Sequence, residues 1–187
     1  MNFNENVIVF DVETTGLSCE YDEILQLSII NGNGKVLFDN YFKPEHKRSW
    51  KEAEKINHIS PEKVKYKRKF SFYRKQIQSI FSNAKVIIAY NANFDIQFLK
   101  AAGIDVMQLA DSKQIELFEN LPPITKKVLD PMIDFSQNVS KKWSNYYHDY
   151  IHVKLEIAAG YYGYYFNPHN SLDDVKATLF LAKELYR

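Results

Sequence analysis

With 187 residues, 45% of them hydrophobic and 25% charged, the chain has the composition of a globular protein and the length of one ordinary domain, expected to span 1–187. Its net charge is +1, no stretch approaches the roughly eighteen consecutive apolar residues of a membrane span, and M-N-F-N-E-N has neither the basic nor the apolar region of a secretory leader. Cys19 is the only cysteine, which excludes an intrachain disulfide and a thiolate metal cluster, so no membrane association and a cytoplasmic location are expected.

The first element is an apolar run, Val7 to Phe10, branched or aromatic without alternation, which predicts a strand buried on both faces. It ends in Asp11 and Glu13 and breaks at Gly16. On a strand, positions i and i+2 point the same way with alpha carbons roughly 6.6 Å apart, so both carboxylates face one cleft. At an effective dielectric near 20 such a pair repels by about 2.5 kcal/mol, a cost that a divalent cation reverses.

A second strand is expected over Glu23 to Ile30, with Leu25, Leu27 and Ile29 on one face. Asn31-Gly32-Asn33-Gly34 predicts a hairpin turn into an edge strand from Val36 to Phe42, stopped by Pro44. Helical spacing follows over Trp50 to Ile56 and Phe70 to Phe81, with a turn at Ser60-Pro61 between them. Val86 to Ala89 predicts a short buried strand, and a helix from about Phe94 to Ala102 closes at Gly103 with Asp95 in its first turn. A fifth strand is expected to end at Val128-Leu129-Asp130.

From Asp134 to Tyr150 the pattern weakens and Trp143, Tyr146, Tyr147 and Tyr150 gather, which predicts irregular helix or loop. Ile151 to Tyr162 is expected to be helical, with Ile151, Leu155, Ala158 and Ala159 on one side. After the breaker cluster Asn167 to Ser171, a last helix is expected from Leu172 to Tyr186, N-capped by Ser171 in a capping-box pattern with Asp174, and buried through Val175, Leu179 and Ala182. Hairpin-paired strands followed by strands separated by helices predict an α/β fold: one mixed five-stranded sheet with helices on both faces.

Charge is unevenly placed. Between Lys43 and Lys75 stand twelve Lys or Arg against four Glu, a local surplus of eight. Such a run is either a solvated surface or a phosphate-tracking face beside an acidic pocket. The acidic side is a constellation of Asp11 and Glu13 at a strand end, Asp95 at a strand-to-helix junction, and Asp174 with His169 at the start of the last helix. In open α/β sheets such junctions collect in one crevice at the carboxyl ends of the strands. An oxygen-only ligand set suits Mg²⁺ or Mn²⁺, and two such ions roughly 4 Å apart can clamp the attacking and departing oxygens of a phosphodiester displacement. His169 precedes the helix, where an imidazole titrating near neutrality can take a proton from water.

F-D-V-E-T-T-G at 10–16, N-A-N-F-D at 91–95 and H-N-S-L-D-D at 169–174 resemble the three motifs of the DEDDh group, the 3′ to 5′ exonucleases of the DnaQ-like superfamily, which includes the proofreading subunit of bacterial replicative polymerases. The resemblance runs from about Val7 to Leu185. It implies a ribonuclease H-like fold and two-metal hydrolysis of the terminal phosphodiester of single-stranded DNA or RNA, releasing nucleoside 5′-monophosphates, with DNA favoured. It also implies roles. Asp11 resembles the ligand bridging both cations, Glu13 and Asp174 those of the nucleophile-side cation, Asp95 the partner of the second, and His169 the general base. Thr14, Thr15, Gly16 and Leu17 are implied contacts of the terminal nucleotide, with Asn91 a further one.

The sequence departs from the family pattern in places. Tyr90 stands where histidine is frequent, and Pro131 follows Asp130 where threonine is frequent, so Asp130 is not counted as catalytic. His58 is given a packing or turn role, and His46, His148 and His152 belong to no constellation. The chain stops after the helix carrying Asp174, without the polymerase-binding tail of a proofreading subunit, which favours a free-standing exonuclease over one with a polymerase partner. A catalytically silent nucleic-acid-binding protein on the same fold is the alternative, and a small-molecule phosphohydrolase a third.

Overall fold

A computed structural model describes residues 1–108 and 126–187. Strands β1 (Val7–Thr14), β2 (Ile24–Asn31), β3 (Val36–Tyr41), β4 (Val86–Ile88) and β5 (Lys127–Leu129) form one mixed sheet in the order β3-β2-β1-β4-β5. The first three pair antiparallel, while β4 and β5 run parallel to β1. β1 is therefore central, and β3 is the edge strand its sequence predicts. Asn31 closes the hairpin, its Oδ1 accepting from the backbone of Asn33 and Lys35, and Gly34 supplies the left-handed residue at φ 85°.

Helices cover both faces, as the unbroken apolar run of β1 requires. Ile8, Phe10 and Val12 share a core with Ile77 and Phe81 of α3 (Phe70–Asn83) and with Phe98 and Leu99 of α4 (Ala92–Ala101). Val7 and Val9 point the other way, onto the Val175, Leu179 and Ala182 stripe of the last helix, α7 (Ser171–Leu185). Two short helices, α1 (Lys51–Asn57) and α2 (Pro61–Val64), precede α3. His58 terminates α1 in the left-handed conformation, and the Ser60 hydroxyl caps α2 by accepting from Lys63 N–H. The Ser60-Pro61 signal thus opens a helix rather than a plain turn. Among the described residues, no helix is long and apolar enough to cross a membrane.

Four expectations need correction. Leu25 does not share the face of Leu27 and Ile29, because the β1–β2 register slips between Glu13 and Thr14. That irregularity puts Ile24 in the Leu27 core and sends Leu25 to Trp50, Ile59 and Val64. Residues 134–150 hold more order than their weak pattern suggests: α5 (Pro131–Phe135), a π-helical turn (Ser136–Ser140), and a hairpin of β6 (Trp143–Ser144) and β7 (Asp149–Tyr150). Ile151 to Lys154 is not helical, and α6 runs only from Leu155 to Tyr161, because Ile151 N–H continues the hairpin ladder to Lys142 C=O. Ser171 lies inside α7, with Asn170 at the cap position, since its hydroxyl donates to Asp11 C=O at 2.7 Å instead of capping.

Candidate active site

The period of a strand builds the first half of the site. Val7, Val9, Asp11 and Glu13 lie on one face of β1, so the apolar residues that pack on α7 give way, at the carboxyl end, to two carboxylates facing the same helix. α7 brings Asp174 to them in its first turn, and the Ser171 hydroxyl fixes the helix start against β1. Asp11, Glu13 and Asp174 each offer a carboxylate oxygen within 4.8 Å of the others'.

This proximity is electrostatically unfavourable. Burial, then the charges of Asp95, Asp174 and Glu13, push the Asp11 carboxyl well above its usual range. Burial and Asp174 lift Glu13 to about 8, against the opposing pull of Asn57 and Lys63. Burial lifts Asp174 to about 7, moderated by the backbone amides of His169 and Asn170. Clustered, desolvated carboxylates that offer oxygen donors, with no guanidinium beside them among the described residues, fit a hard divalent cation, whose charge would reverse each of these shifts.

Asp95 stands apart from that trio. It is buried in the first turn of α4, and one carboxylate oxygen accepts Val12 N–H at 3.0 Å. Burial again dominates its raised pKa, with Glu13 and Asp130 adding to it. The turn before α4 is held by Asp130, whose carboxylate accepts from Asn91, Ala92 and Met132 N–H. Asp130 is thus a double helix cap, which accounts for an acid at that position without a catalytic role. His169 is exposed and left-handed at φ 68°, one residue before the α7 cap. A non-glycine residue in that region is uncommon and concentrates at functional sites.

All five side chains line one cleft of about 470 Å³, together with Leu17, Tyr90, Asn91 and Phe94. Leu17 is 87% exposed at its mouth. Thr14, Thr15 and Gly16 are not brought to the cleft. Thr14 Oγ1 donates to Gly16 C=O at 2.5 Å, and Thr15 Oγ1 donates to Asp22 Oδ1 and accepts from Glu23 N–H, both at 2.9 Å. Gly16 is required because a Cβ there would lie 2.4 Å from the Asp22 carboxylate. In this structure the T-T-G segment is a self-satisfied turn, and of the five expected substrate contacts Leu17 and Asn91 reach the cleft.

Sequence reasoning missed several residues near the site. Asn57 is buried, donates to Thr14 C=O at 3.1 Å and reaches Glu13, while Lys63, at the foot of the basic run, lies over the Tyr41 ring and acts on Glu13. His152, Lys154 and Glu156 form one cleft wall. The non-helical segment carrying the first two was read as helix, and no spacing rule marks a cleft residue on an irregular chain. Tyr90 ties this wall in place, its hydroxyl donating to Val153 C=O.

Comparison with known proteins agrees with this geometry. Residues 8–182 match the Exonuclease family RNase_T. The DNA polymerase III PolC-type protein of Streptococcus mutans is 30% identical over 150 residues, which are 78% of this chain and 9% of that protein. The chain thus spans less than a tenth of that relative. E. coli Exonuclease I, solved with a dA16 oligonucleotide, superposes with a TM-score of 0.67 at 18% identity, over 96% of this chain and 41% of that one. Exonuclease X, solved with 5′ overhanging duplex DNA, gives 0.61 at 15% identity, over 96% and 90%. The fold is therefore the ribonuclease H-like α/β fold of these exonucleases, and the chain belongs to the Exonuclease family.

Proposed function

We propose that this member of the Exonuclease family is a metal-dependent 3′ to 5′ exonuclease that removes nucleotides one at a time from single-stranded ends, with DNA as the favoured substrate. The observation that carries the reading is the trio Asp11, Glu13 and Asp174, desolvated and within 4.8 Å of one another at the carboxyl end of the central strand. The four acidic positions and His169 of the resembled motifs line the same cleft, which a protein retaining only the fold would have no reason to preserve.

Asp11, Glu13 and Asp174 would hold one divalent cation, Mg²⁺ or Mn²⁺, and Asp11 with Asp95 a second. Bound there, the cations supply positive charge to the phosphodiester oxygens and acidify the attacking water. His169 takes the proton from that water, from a position exposed enough to exchange it with solvent. Water oxygen bonds to phosphorus as the bond to the 3′ oxygen of the preceding nucleotide breaks, giving a nucleoside 5′-monophosphate and a strand shorter by one. Leu17 and Asn91 flank the terminal nucleotide, and Lys63 lies on the Glu13 side of the site.

The test is stepwise shortening of a 5′-labelled single strand in Mg²⁺, with loss of activity on the order of 10⁴-fold expected in Asp11→Ala. Strand binding without shortening in either Mg²⁺ or Mn²⁺ would identify the silent binder instead. Matched DNA and RNA oligomers test the preference, and faster loss of RNA would reverse it. DNA is favoured because the relative is named a DNA polymerase and the structural neighbours were solved with DNA.

A further inference from the structure

The β6–β7 hairpin has an aromatic tip that the catalytic cleft does not use. Trp143 and Tyr150 are directly paired across its strands, edge to face at 5.3 Å, and this contact accounts for the stability of so short a hairpin. Tyr146 and Tyr147 form the tip, 83% and 76% exposed, set edge to face at 4.8 Å. The tip is ordered: Ser144 Oγ accepts Tyr147 N–H at 3.2 Å, and Lys141 N–H returns to Ser136 C=O at 2.9 Å. Two adjacent large side chains held out in water stabilise nothing in the fold.

Position and charge say what the tip meets. β7 is followed directly by Ile151 and then by His152, Val153 and Lys154, which line the same cleft as the acidic cluster. Tyr147 lies in the hairpin turn five residues before His152, and five residues span at most about 17 Å, the reach of a few nucleotides. Exposed Lys141 and Lys142 precede the hairpin, Asp149 is the one acid within it, and exposed Lys154, 3.9 Å from Glu156, follows. Exposed aromatic faces among cations, continuous with a site for a polyanion, are the features of a single-strand stacking surface.

We infer that the hairpin is a second binding surface for the single strand: Tyr146 and Tyr147 stack bases lying 5′ of the reacting end, while Lys141 and Lys142 contact their phosphates. The inference rests on the exonuclease reading for the polarity of the strand. Its occupant is single-stranded nucleic acid rather than a second copy or a protein partner.

The test is fluorescence anisotropy in a chelator, with labelled DNA of about four and about sixteen nucleotides. The chain should bind the longer strand more tightly. A double Tyr146→Ala, Tyr147→Ala variant should lose about tenfold or more on the longer strand and little on the shorter, and the corresponding double Phe variant should restore it, since stacking needs the ring and not the hydroxyl. Lys141→Ala with Lys142→Ala should flatten the log–log salt dependence by about 1.4. Equal affinity of wild type and the alanine pair for the longer strand would overturn the inference. So would a dimer in sedimentation that the alanine pair dissolves without changing strand binding, which would assign the tip to a second copy. Shortening of the four-nucleotide strand by the wild type in Mg²⁺ is read separately: its absence sinks the enzyme, while length-dependent binding sustains the hairpin surface.

Discussion

Two groups of acids, one in the turn between β1 and β2 and one where α7 meets the end of β1, are treated in opposite ways. In the turn after β1, the Asp22 carboxylate takes the Lys47 ammonium at 2.9 Å, Ser18 N–H at 3.1 Å and the Thr15 hydroxyl at 2.9 Å. Burial would raise its pKa, but those partners outweigh it and hold the carboxyl below its ordinary value. Glu23 likewise accepts three backbone N–H groups, from Glu45, His46 and Lys47. At the end of β1, Asp11, Glu13 and Asp174 mainly face one another, and all three are pushed upward. An acid with its partners in place builds the fold. An acid left against other acids is held ready for a ligand, at a cost the rest of the fold offsets.

The contrast predicts that variants in the first group lose stability and keep chemistry, and that variants in the second do the reverse. Of the variants set by this contrast, His169→Ala should move the rate most, cutting turnover by on the order of 10² to 10⁴ while leaving strand affinity nearly unchanged. An unchanged single-turnover rate at neutral pH would remove His169 as the base. Asp95→Asn should weaken the apparent cation affinity by roughly 10- to 100-fold, so activity falls more at limiting than at saturating Mg²⁺. Equal losses at both concentrations would place Asp95 outside cation binding and leave it only the hydrogen bond to Val12.

Thr15→Val tests the other group. It removes the hydroxyl that serves both Asp22 and Glu23 N–H, so urea unfolding should show a loss of about 1–3 kcal/mol, with KM for the strand unaltered. A raised KM with unchanged stability would return Thr15 to the substrate contacts. The smallest effect is in pH. In chelator, the folded chain holds protons on Glu13 and Asp174 that the unfolded chain releases near pH 4, so stability falls as pH rises from about 4 and levels off above the folded values of about 7 and 8. Tm should fall across that window, and saturating Mg²⁺ should remove the fall. A profile indifferent to Mg²⁺ would separate these carboxylates from cation binding.

What the sequence discloses follows from how local each determinant is. The run Val7 to Phe10 identifies a central strand because burial on both faces leaves no room for polar alternation, and period two alone puts Asp11 and Glu13 together. Bringing Asp174 to them needs the sheet order and the docking of α7, which three spaced motifs suggest by resemblance and periodicity cannot supply. The failures are equally physical. The Glu13–Thr14 register slip shifts Leu25 to another core, and a bulge leaves no mark on alternation until its partner strand is known. Ser171 has the composition of a cap, but a tertiary carbonyl, that of Asp11, competes for its hydroxyl and wins. Residues 151–154 have helical spacing, but the ladder begun by Trp143 and Tyr150 continues to Ile151 and keeps the helix from starting before Leu155.

The bond from Ser171 to Asp11 joins residues 160 positions apart and closes the carboxylate trio. During synthesis at 5–20 residues per second, roughly 10 to 30 s separate the emergence of its two ends. A nascent chain with its first strands already paired holds Asp11 and Glu13 without their third carboxylate or His169. On the proposed reading, the carboxylate trio is complete only once the last helix has docked on the first strand.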